Sequence, residues 1–404
     1  MRVVVTGIGL VTPVGTGRET AWRNLLAGRS GIGRVTSFDA SGHSVDTAAE
    51  LEGFEPSPNA RPDDRRFGRT SEIALTAATE AIEDAGADLR TLAPERLAVA
   101  MGTTSGEPLE IERFDDRWVE ERLDEVGAEF MSLYPCQVIA GHVAEVFGAA
   151  GPNMTIPTAC AAGNYAIAFG CDALRRGRAD VVLAGGADSF SRITYTGFAR
   201  LGAIAPDTCR PFDRDRQGMV PGEGGAVLVL ERLDDARRRG AEIYAEVLGY
   251  GLSCDAHHMT GSDPEGNGAI RAMRQALTTA GLTADVVDYV SAHGTGTPTN
   301  DRMETLAAKA VFGGGGAPPM SSIKSMIGHT MGAASAIEAA VCALAIDRGR
   351  VPPTMNHEVP DPECDLDYVA GEARELRVDV AMNNAYAFGG NNSSLLLGRL
   401  DRTT

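Results

Sequence analysis

The amino-acid sequence predicts an α/β protein that is built from two similar lobes. Three observations support this fold class. Val-rich runs that are typical of buried strands alternate with amphipathic helical patterns and Gly-rich turns. The order of these elements in the first half of the chain recurs in the second half. The chain has 404 residues, of which 43% are hydrophobic, so it is long enough to bury a large two-lobed core.

The first half predicts an alternation of strands and helices that ends in a long loop. In chain order the pattern indicates a strand at 2–9, helices at 19–27 and 70–85, a strand at 97–101, a helix at 138–146, a strand at 153–156, a helix at 161–176, and strands at 180–187 and 226–231. Gly28 and Gly86 close two of the helices, because glycine readily takes the left-handed conformation that ends a helix. The charged segment 107–135 predicts helical excursions outside the core, and residues 190–224 predict a functional loop region.

The second half repeats this layout. The matching pairs are the strand at 243–251 with the opening strand, the helix at 267–280 with that at 70–85, the strand at 286–292 with that at 97–101, the segment 319–346 with 154–176, and the segment 387–397 with 222–230. A repeat of this length is neither a solenoid nor a propeller. We therefore expect an N-terminal lobe at 1–240 and a C-terminal lobe at 241–404, with the small-residue helices 161–174 and 333–345 packed closely between them.

Composition excludes several classes of partner. The formal net charge of -18 argues against nucleic acid or an anionic membrane surface. No apolar run reaches the roughly 18 residues of a membrane span, and the start of the chain does not have the pattern of a signal peptide. The seven cysteines include no C-x-x-C pair, which indicates free thiols, a cytoplasmic location and no zinc site.

Cys160 lies in the segment T-I-P-T-A-C-A-A-G-N at 155–164, between a predicted strand and a predicted helix. The unpaired N–H groups and the positive dipole at a helix N-terminus favour a thiolate, so we expect the pKa of Cys160 to lie below that of a free thiol. The small neighbouring residues leave room for a substrate. The local sequence fits a buried structural cysteine equally well, so residues elsewhere in the chain must decide.

Three segments of the second half supply such residues. His293 directly follows a predicted strand, in S-A-H-G-T-G-T at 291–297. Lys324 and His329 lie five residues apart, across a turn that leads into the small-residue helix. The segment A-F-G-G-N-N at 387–392 is a Gly turn whose exposed N–H groups suit anion stabilisation.

Each segment alone is a weak signal, because a single His is more often structural and a single Lys is usually solvated. Lys324 has one additional argument in its favour. The only lysines are Lys309 and Lys324, and a lysine that persists in an Arg-rich chain indicates a role that Arg cannot fill. The joint presence of the three segments with Cys160 is a strong signal for chemistry.

Together these segments resemble the β-ketoacyl-acyl carrier protein synthases, the condensing enzymes of fatty-acid and polyketide synthesis. The resemblance extends from V-T-G-I-G-L-V-T-P near the start of the chain to F-G-G-N-N near its end, and it includes R-P-F-D at 210–213 and G-E-G-G at 222–225. It implies a thiolase-like fold with two duplicated lobes, mixed five-stranded sheets and central helices. It also implies an acyltransferase that forms a homodimer, or a heterodimer with a ketosynthase-like subunit.

The resemblance also implies the roles of individual residues. Cys160 matches the acyl-accepting nucleophile, and Phe388 matches a gating aromatic residue whose N–H joins that of Cys160 in an oxyanion hole. The other implied catalytic residues are His293, His329 and Lys324. The residues expected to support them are Glu338, Thr295, Thr297 and Asn391. The residues expected to dock the carrier protein are Arg65, Arg66 and Arg69.

The implied reaction is a decarboxylative Claisen condensation of an acyl group on Cys160 with a malonyl thioester. Both substrates are carried on the phosphopantetheine arm of an acyl carrier protein, so no cofactor or metal is expected. The segment E-P-L-E-I-E at 107–112 stands where many relatives have a Gly-rich apolar stretch, which favours specialised type II polyketide or fatty-acid biosynthesis. Two alternatives stay open, a non-catalytic chain-length partner and a Cys-dependent acyltransferase or hydrolase that does not decarboxylate.

Overall fold

The fold is seen in a computed structural model of the protein, which describes residues 1–60, 66–313 and 316–400. The helices are α1 (Arg18–Leu26), α2 (Arg69–Ala85), α3 (Pro108–Val119), α4 (Phe130–Leu133), α5 (Val138–Phe147), α6 (Ala162–Arg175), α7 (Arg192–Arg200), α8 (Leu233–Arg238), α9 (Asn267–Ala280), α10 (Pro298–Phe312), α11 (Lys324–Ile327) and α12 (Ala334–Arg348). The strands are β1 (Val3–Thr12), β2 (Gly15–Thr16), β3 (Gly33–Arg34), β4 (Thr47–Ala48), β5 (Leu97–Gly102), β6 (Asn153–Ile156), β7 (Val181–Asp188), β8 (Gly224–Arg232), β9 (Ala245–Cys254), β10 (Tyr289–Ser291), β11 (Met320–Ser321), β12 (Arg350–Val351), β13 (Arg374–Glu375), β14 (Val380–Tyr386) and β15 (Asn391–Gly398).

The main sheet confirms the predicted duplication. Its strand order is β6-β5-β7-β8-β1 in the first half and β11-β10-β14-β15-β9 in the second half. In each half the first three strands are parallel, and the next two add in antiparallel orientation. Each half is therefore a mixed five-stranded sheet. The halves are continuous with each other, because Val3–Val5 of β1 pairs with Ala245–Val247 of β9.

Helices form layers on both sides of the two half-sheets. Helix α2 covers β1, β7 and β8, and helix α9 covers β9 and β15 in the equivalent way. Helices α6 and α12 pack against each other between the two half-sheets. Residues 334–346 of α12 are buried throughout, which explains why this helix shows no polar face. The two central helices approach closely at Gly163, where a Cβ atom would lie 2.5 Å from the backbone nitrogen of Ala336.

The predicted boundary between residues 240 and 241 falls between α8 and β9, and it stays a prediction. The predicted helical excursions of 107–135 are present as α3 and α4. None of the helices in the described part of the chain combines the length and the apolarity that crossing a membrane requires.

This topology gathers the predicted site residues at one place in the fold. Cys160 follows the carboxyl end of β6, His293 follows β10, Lys324 follows β11, and Phe388 follows β14. In α/β sheets, the carboxyl ends of parallel strands are the usual location of ligand sites. The duplication supplies two such edges, one from each half-sheet, on either side of α6 and α12.

Candidate active site

Cys160 lies in a tight turn between β6 and α6. Residues 159–161 form a single 3-10 turn, and Ala159 has a φ of 48°, a left-handed conformation that costs energy for a residue with a side chain. Gly102, at the end of β5, abuts the start of α6, because a Cβ atom there would lie 2.4 Å from the carbonyl carbon of Ala162. Close packing against β5 therefore fixes the turn, and Cys160 lies at the helix N-terminus as the sequence predicts.

The backbone at His293 is held in place by Glu304. The N–H groups of His293 and Gly294 donate to the two carboxylate oxygens of Glu304, at 2.7 and 2.8 Å. Glu304 is fully buried on α10, and burial raises its pKa to about 8. The imidazole of His293 is free of such constraints, since its Nδ1 has no hydrogen-bond partner among the residues that the structure describes. Its tautomer is consequently not fixed by any neighbour in the described residues.

His329 is fixed in one tautomer. Its Nδ1 accepts a hydrogen bond from the backbone N–H of Met331, at 3.2 Å. Because Nδ1 is the acceptor, the proton of the neutral ring is assigned to Nε2. The ring of His329 stands nearly perpendicular to that of His293, with centroids 5.4 Å apart and an interplanar angle of 83°.

The three predicted reactive side chains meet in space. One atom each of Cys160, His293 and His329, the sulfur and a ring nitrogen of each imidazole, lie within 4.8 Å of one another. All three side chains are buried. Burial, together with the positive charge of Lys324, lowers the pKa of both imidazoles well below the usual value, so both rings are neutral at pH 7.

Lys324 and Glu338 form an ion pair behind the two imidazoles. The Nζ of Lys324 donates to Oε1 of Glu338, and each side chain is only 1% exposed. Burial raises the pKa of Glu338 to about 7, against the opposing effect of Lys324. Oε2 of Glu338 has no hydrogen-bond partner among the described residues. Lys324 is therefore a buried cation that acts on the imidazoles through its charge.

The expected pKa of Cys160 is wrong in direction. Burial raises the pKa of its thiol to about 12, and the negative charge of Asp188 adds to this increase. Lys324 lowers the pKa but does not offset burial. The helix N-terminus is present, yet the cost of burying a charged sulfur is larger. In the unliganded protein Cys160 is therefore a thiol, and it needs a proton acceptor before it can act as a nucleophile.

A cavity of about 300 Å³ opens onto these groups. Cys160, His293 and His329 line it, and so does Phe388, which has 40% of its surface exposed. The ring of Phe388 packs on that of Phe198, with centroids 5.7 Å apart. The N–H of Phe388 has no hydrogen-bond partner among the described residues, so it is available to a substrate oxygen.

The predicted supporting residues occupy different places. Thr295 and Thr297 line the cavity, and their hydroxyl groups lie 2.9 Å apart. Asn391 is not among the residues that line the cavity, and its carbonyl accepts a hydrogen bond from the N–H of Ala387 at 2.9 Å. Asn391 thus braces the turn that carries Phe388.

The predicted docking arginines are engaged in ion pairs where the structure describes them. Arg65 lies outside the described residues. Arg66 is exposed, and it donates to both oxygens of Glu110 at 2.5 and 2.6 Å. Arg69 donates to both oxygens of the buried Glu223 at 2.8 and 3.0 Å. The docking role stays a prediction, and both arginines also pair with a buried carboxylate.

Two buried carboxylates escaped the sequence analysis. Glu304 anchors His293, and Asp188 anchors the turn at 103–105 and the start of the second central helix. Neither lies in a motif segment, and both contact backbone N–H groups rather than other charges. The only signal for either residue in the sequence is the position of Asp188, directly after the predicted strand at 180–187.

Cys160, His293 and His329 are also residue types that bind zinc, and the absence of a metal from the site stays a prediction.

The chain is similar to known proteins over almost its whole length. Two family models match the chain, the Beta-ketoacyl synthase N-terminal domain over residues 1–236 and the Beta-ketoacyl synthase C-terminal domain over residues 244–358. The tetracenomycin polyketide synthase ketoacyl synthase alpha subunit of Streptomyces glaucescens is 42% identical, over 100% of this chain and 98% of that protein. The 3-oxoacyl-[acyl-carrier-protein] synthase 2 of Synechocystis sp. is 40% identical, over 98% of this chain and 97% of that protein.

Solved structures give the same result. The ishigamide ketosynthase/chain length factor matches with a TM-score of 0.94 and 42% identity, over 99% of both chains. A type II PKS acyl-carrier protein in complex with its ketosynthase bound to the hexaketide matches with a TM-score of 0.91 and 31% identity, again over 99% of both chains.

Proposed function

The chain belongs to the β-ketoacyl synthase family, and from this premise we propose that it condenses an acyl group on Cys160 with a malonyl thioester on an acyl carrier protein. The observation that carries the proposal is the convergence of Cys160, His293 and His329 within 4.8 Å in the wall of one cavity. A single nucleophile with one base would suffice for acyl transfer or hydrolysis. Decarboxylation additionally requires a hydrogen-bond donor to the substrate carbonyl, which a second imidazole with a fixed N–H supplies.

The first half-reaction loads the acyl group. Because burial keeps Cys160 as a thiol, its proton must move to a neighbouring base as the sulfur attacks the thioester. His329 already carries its proton on Nε2, whereas no neighbour fixes the tautomer of His293. We therefore assign His293 as the acceptor of this proton. The C–S bond to the carrier protein breaks, and His293 passes the proton on to the departing sulfur, so the carrier leaves as its free thiol and His293 is neutral again.

The tetrahedral intermediate of this step carries a negative oxygen. The N–H groups of Cys160 and Phe388 are the donors that we assign to it. Preorganised backbone N–H donors in a site with little water stabilise such an oxyanion strongly. The exposure of Phe388 at the cavity wall fits a side chain that moves aside when the pantetheine arm is present.

The second half-reaction forms the carbon–carbon bond. The Nε2–H of His329 donates to the carbonyl oxygen of the malonyl thioester, and carbon dioxide leaves as the electron pair moves into an enolate. The enolate carbon attacks the acyl carbonyl on Cys160, and the C–S bond to Cys160 breaks. Cys160 leaves as a thiolate and takes up one proton from water, with His293 as the relay. Burial and the charge of Lys324 keep both imidazoles neutral before turnover, so that a base and a donor are both present.

We further propose the biological setting of this activity. The substrates arrive on the phosphopantetheine arm of an acyl carrier protein in the cytoplasm, and the synthase acts as a homodimer or with a ketosynthase-like subunit. The free cysteines of the structure fit a reducing compartment. Similarity to both a polyketide and a fatty-acid synthase supports a type II system, and the specialised pathway is the option that we favour.

The experiment follows both half-reactions in one assay. The purified protein is incubated with acyl- and malonyl-carrier protein, carbon dioxide release is measured, and products are identified by mass spectrometry. We expect β-ketoacyl-carrier protein with one carbon dioxide per condensation. Cys171→Ala is the matched control, because Cys171 is a buried thiol on the same helix as the nucleophile's turn. Acyl hydrolysis without carbon dioxide release would refute condensation and favour the hydrolase alternative.

A further inference from the structure

Asp188 is a buried carboxylate that accepts four hydrogen bonds and that no step above uses. It ends β7, and none of its surface is exposed. One oxygen accepts the hydroxyl of Thr103 at 2.8 Å and the N–H of Ser105 at 2.9 Å. The other accepts the N–H groups of Thr104 and Gly332, both at 2.7 Å. Four donors thus converge on one side chain.

The bond to Gly332 crosses from one half of the fold to the other. Residues 331–333 form a 3-10 turn before α12, and Met331 has a φ of 52°. A Cβ atom at Gly332 would lie 2.5 Å from the carbonyl carbon of Thr103 and 2.7 Å from Asp188. Asp188 therefore ties this turn to residues 103–105 with no side chain in between.

The turn at 331–333 also fixes the tautomer of His329. The N–H of Met331, the residue before Gly332, is the donor that fixes Nδ1 of His329. A displacement of the turn would remove that donor, and the ring could then place its proton on either nitrogen. Asp188 contacts neither the imidazole nor the sulfur through any of its hydrogen bonds, so its influence on His329 passes through the backbone.

We infer that Asp188 is a positioning residue for decarboxylation, which anchors the turn at 331–333 so that His329 presents Nε2–H to the substrate. The inference rests on the proposed role of His329 as the donor to the malonyl carbonyl. Its first test, however, reads the tautomer directly and needs no catalytic activity. A failure of the proposed function and a failure of this inference can therefore be told apart.

The test compares wild type with Asp188→Asn by ¹⁵N NMR of protein labelled at histidine. His329 is assigned by the signal that disappears in His329→Gln. In wild type we expect Nδ1 of His329 to show the shift of an unprotonated nitrogen and Nε2 that of a protonated one. In Asp188→Asn, the amide NH₂ must face at least one pair of donors, so the turn should shift and the two ¹⁵N shifts should move towards each other.

The matched control is Asp213→Asn. Asp213 is also a buried carboxylate that accepts backbone N–H groups, those of Asp215, Glu358 and Val359, at 2.6–2.8 Å. Its substitution should leave the shifts of His329 unchanged. The decarboxylation rate of Asp188→Asn should fall about tenfold, a fraction of the loss expected when an oxyanion donor is removed outright. Its single-turnover acylation of Cys160 should change less.

An unchanged tautomer of His329 in folded Asp188→Asn overturns the inference, whatever the activity. A changed tautomer with an unchanged decarboxylation rate overturns the catalytic part of it. If Asp188→Asn does not fold, Thr103→Val decides, because it removes one donor from the same carboxylate with little change in shape. The shifts of His329 must then move in the same direction, and unmoved shifts in that variant contradict the inference.

Discussion

Replacing Lys324 by methionine should separate what the buried ion pair does for stability from what it does for catalysis. Both side chains of the Lys324–Glu338 pair are 1% exposed, and one oxygen of Glu338 already has no partner among the described residues. Removing one member of a buried pair typically costs about 3–5 kcal/mol, because the remaining charge is left unpaired. Lys324→Met should therefore lower the free energy of unfolding, with about this much as the upper limit, which is reached only once Glu338 is ionised.

The loss should depend on pH, and its sign follows from Glu338. Burial raises the pKa of this carboxyl to about 7 even with Lys324 present, and it must rise further without the lysine. A carboxyl whose folded-state pKa is raised contributes stability at low pH, which is lost as pH rises through that value. The destabilisation of Lys324→Met should consequently be smallest near pH 5 and grow towards pH 9, by about 1.4 kcal/mol for each unit of additional pKa increase.

A double variant completes the cycle. In Lys324→Met/Glu338→Leu no buried charge remains, so the free energy of unfolding should return close to that of wild type. Activity should not return in full, because burial still lowers the pKa of both imidazoles but the added effect of the Lys324 charge is missing. The assays are urea unfolding at several pH values and carbon dioxide release from malonyl-carrier protein. A double variant that regains both stability and decarboxylation would refute the catalytic role of Lys324.

Lys309→Met is the matched control, since Lys309 is the only other lysine and its partner, Asp365, is half exposed. A surface pair of this kind contributes about 0–1 kcal/mol, so this variant should be nearly as stable and as active as wild type. Lys324→Arg should also be impaired, because the planar guanidinium does not fit the space of a compact ammonium.

Three further predictions test other parts of the site. Cys160→Ala should lose acylation and condensation but keep decarboxylation, whereas His329→Ala should lose decarboxylation. Carbon dioxide release measures decarboxylation, and mass spectrometry of the acyl-enzyme measures acylation. Equal loss of both half-reactions in Cys160→Ala would contradict this division. Alkylation of Cys160 should accelerate about tenfold per pH unit through pH 9, because burial raises its pKa to about 12, and a plateau near neutral pH would show a thiolate instead. Arg66→Glu should raise the KM for carrier protein but not for a small thioester, and equal loss with both substrates would remove the docking role. Arg66→Glu and Arg69→Glu should both lower the free energy of unfolding, since each breaks a pair with a buried carboxylate, Glu110 or Glu223.

The fold was predictable from the sequence because its two halves share one layout. The helix predicted at 267–280 has these bounds in the structure, and the strand at 97–101 differs by one residue. The pairing of β1 with β9 was not predictable from the sequence. Only three residue pairs between these strands join the two half-sheets into one. Nothing in a strand's own sequence specifies its partner at an edge.

The site was predictable to a different extent for different residues. Cys160 and His293 follow strands, His293 and His329 stand next to a glycine, and the structure brings all three together as expected. The pKa of Cys160 was not predictable in the same way, because the favourable helix terminus is local in sequence whereas burial depends on the whole fold. Glu304 and Asp188 were missed because they act on backbone N–H groups, which leave no trace in a pattern of side chains.

The duplication also explains why one half carries the nucleophile and the other carries its support. Both central helices start from a 3-10 turn whose first residue is left-handed, with a φ of 48° at Ala159 and 52° at Met331. The second residue of one turn is Cys160, which faces the cavity, and that of the other is Gly332. Gly332 lies against Thr103 with no room for a side chain, so a nucleophile there would break the contact that Asp188 makes. The two turns therefore differ because Cys160 borders a cavity whereas Gly332 is enclosed. The hydrogen bond that the second turn gives to His329 depends on this close packing around Gly332.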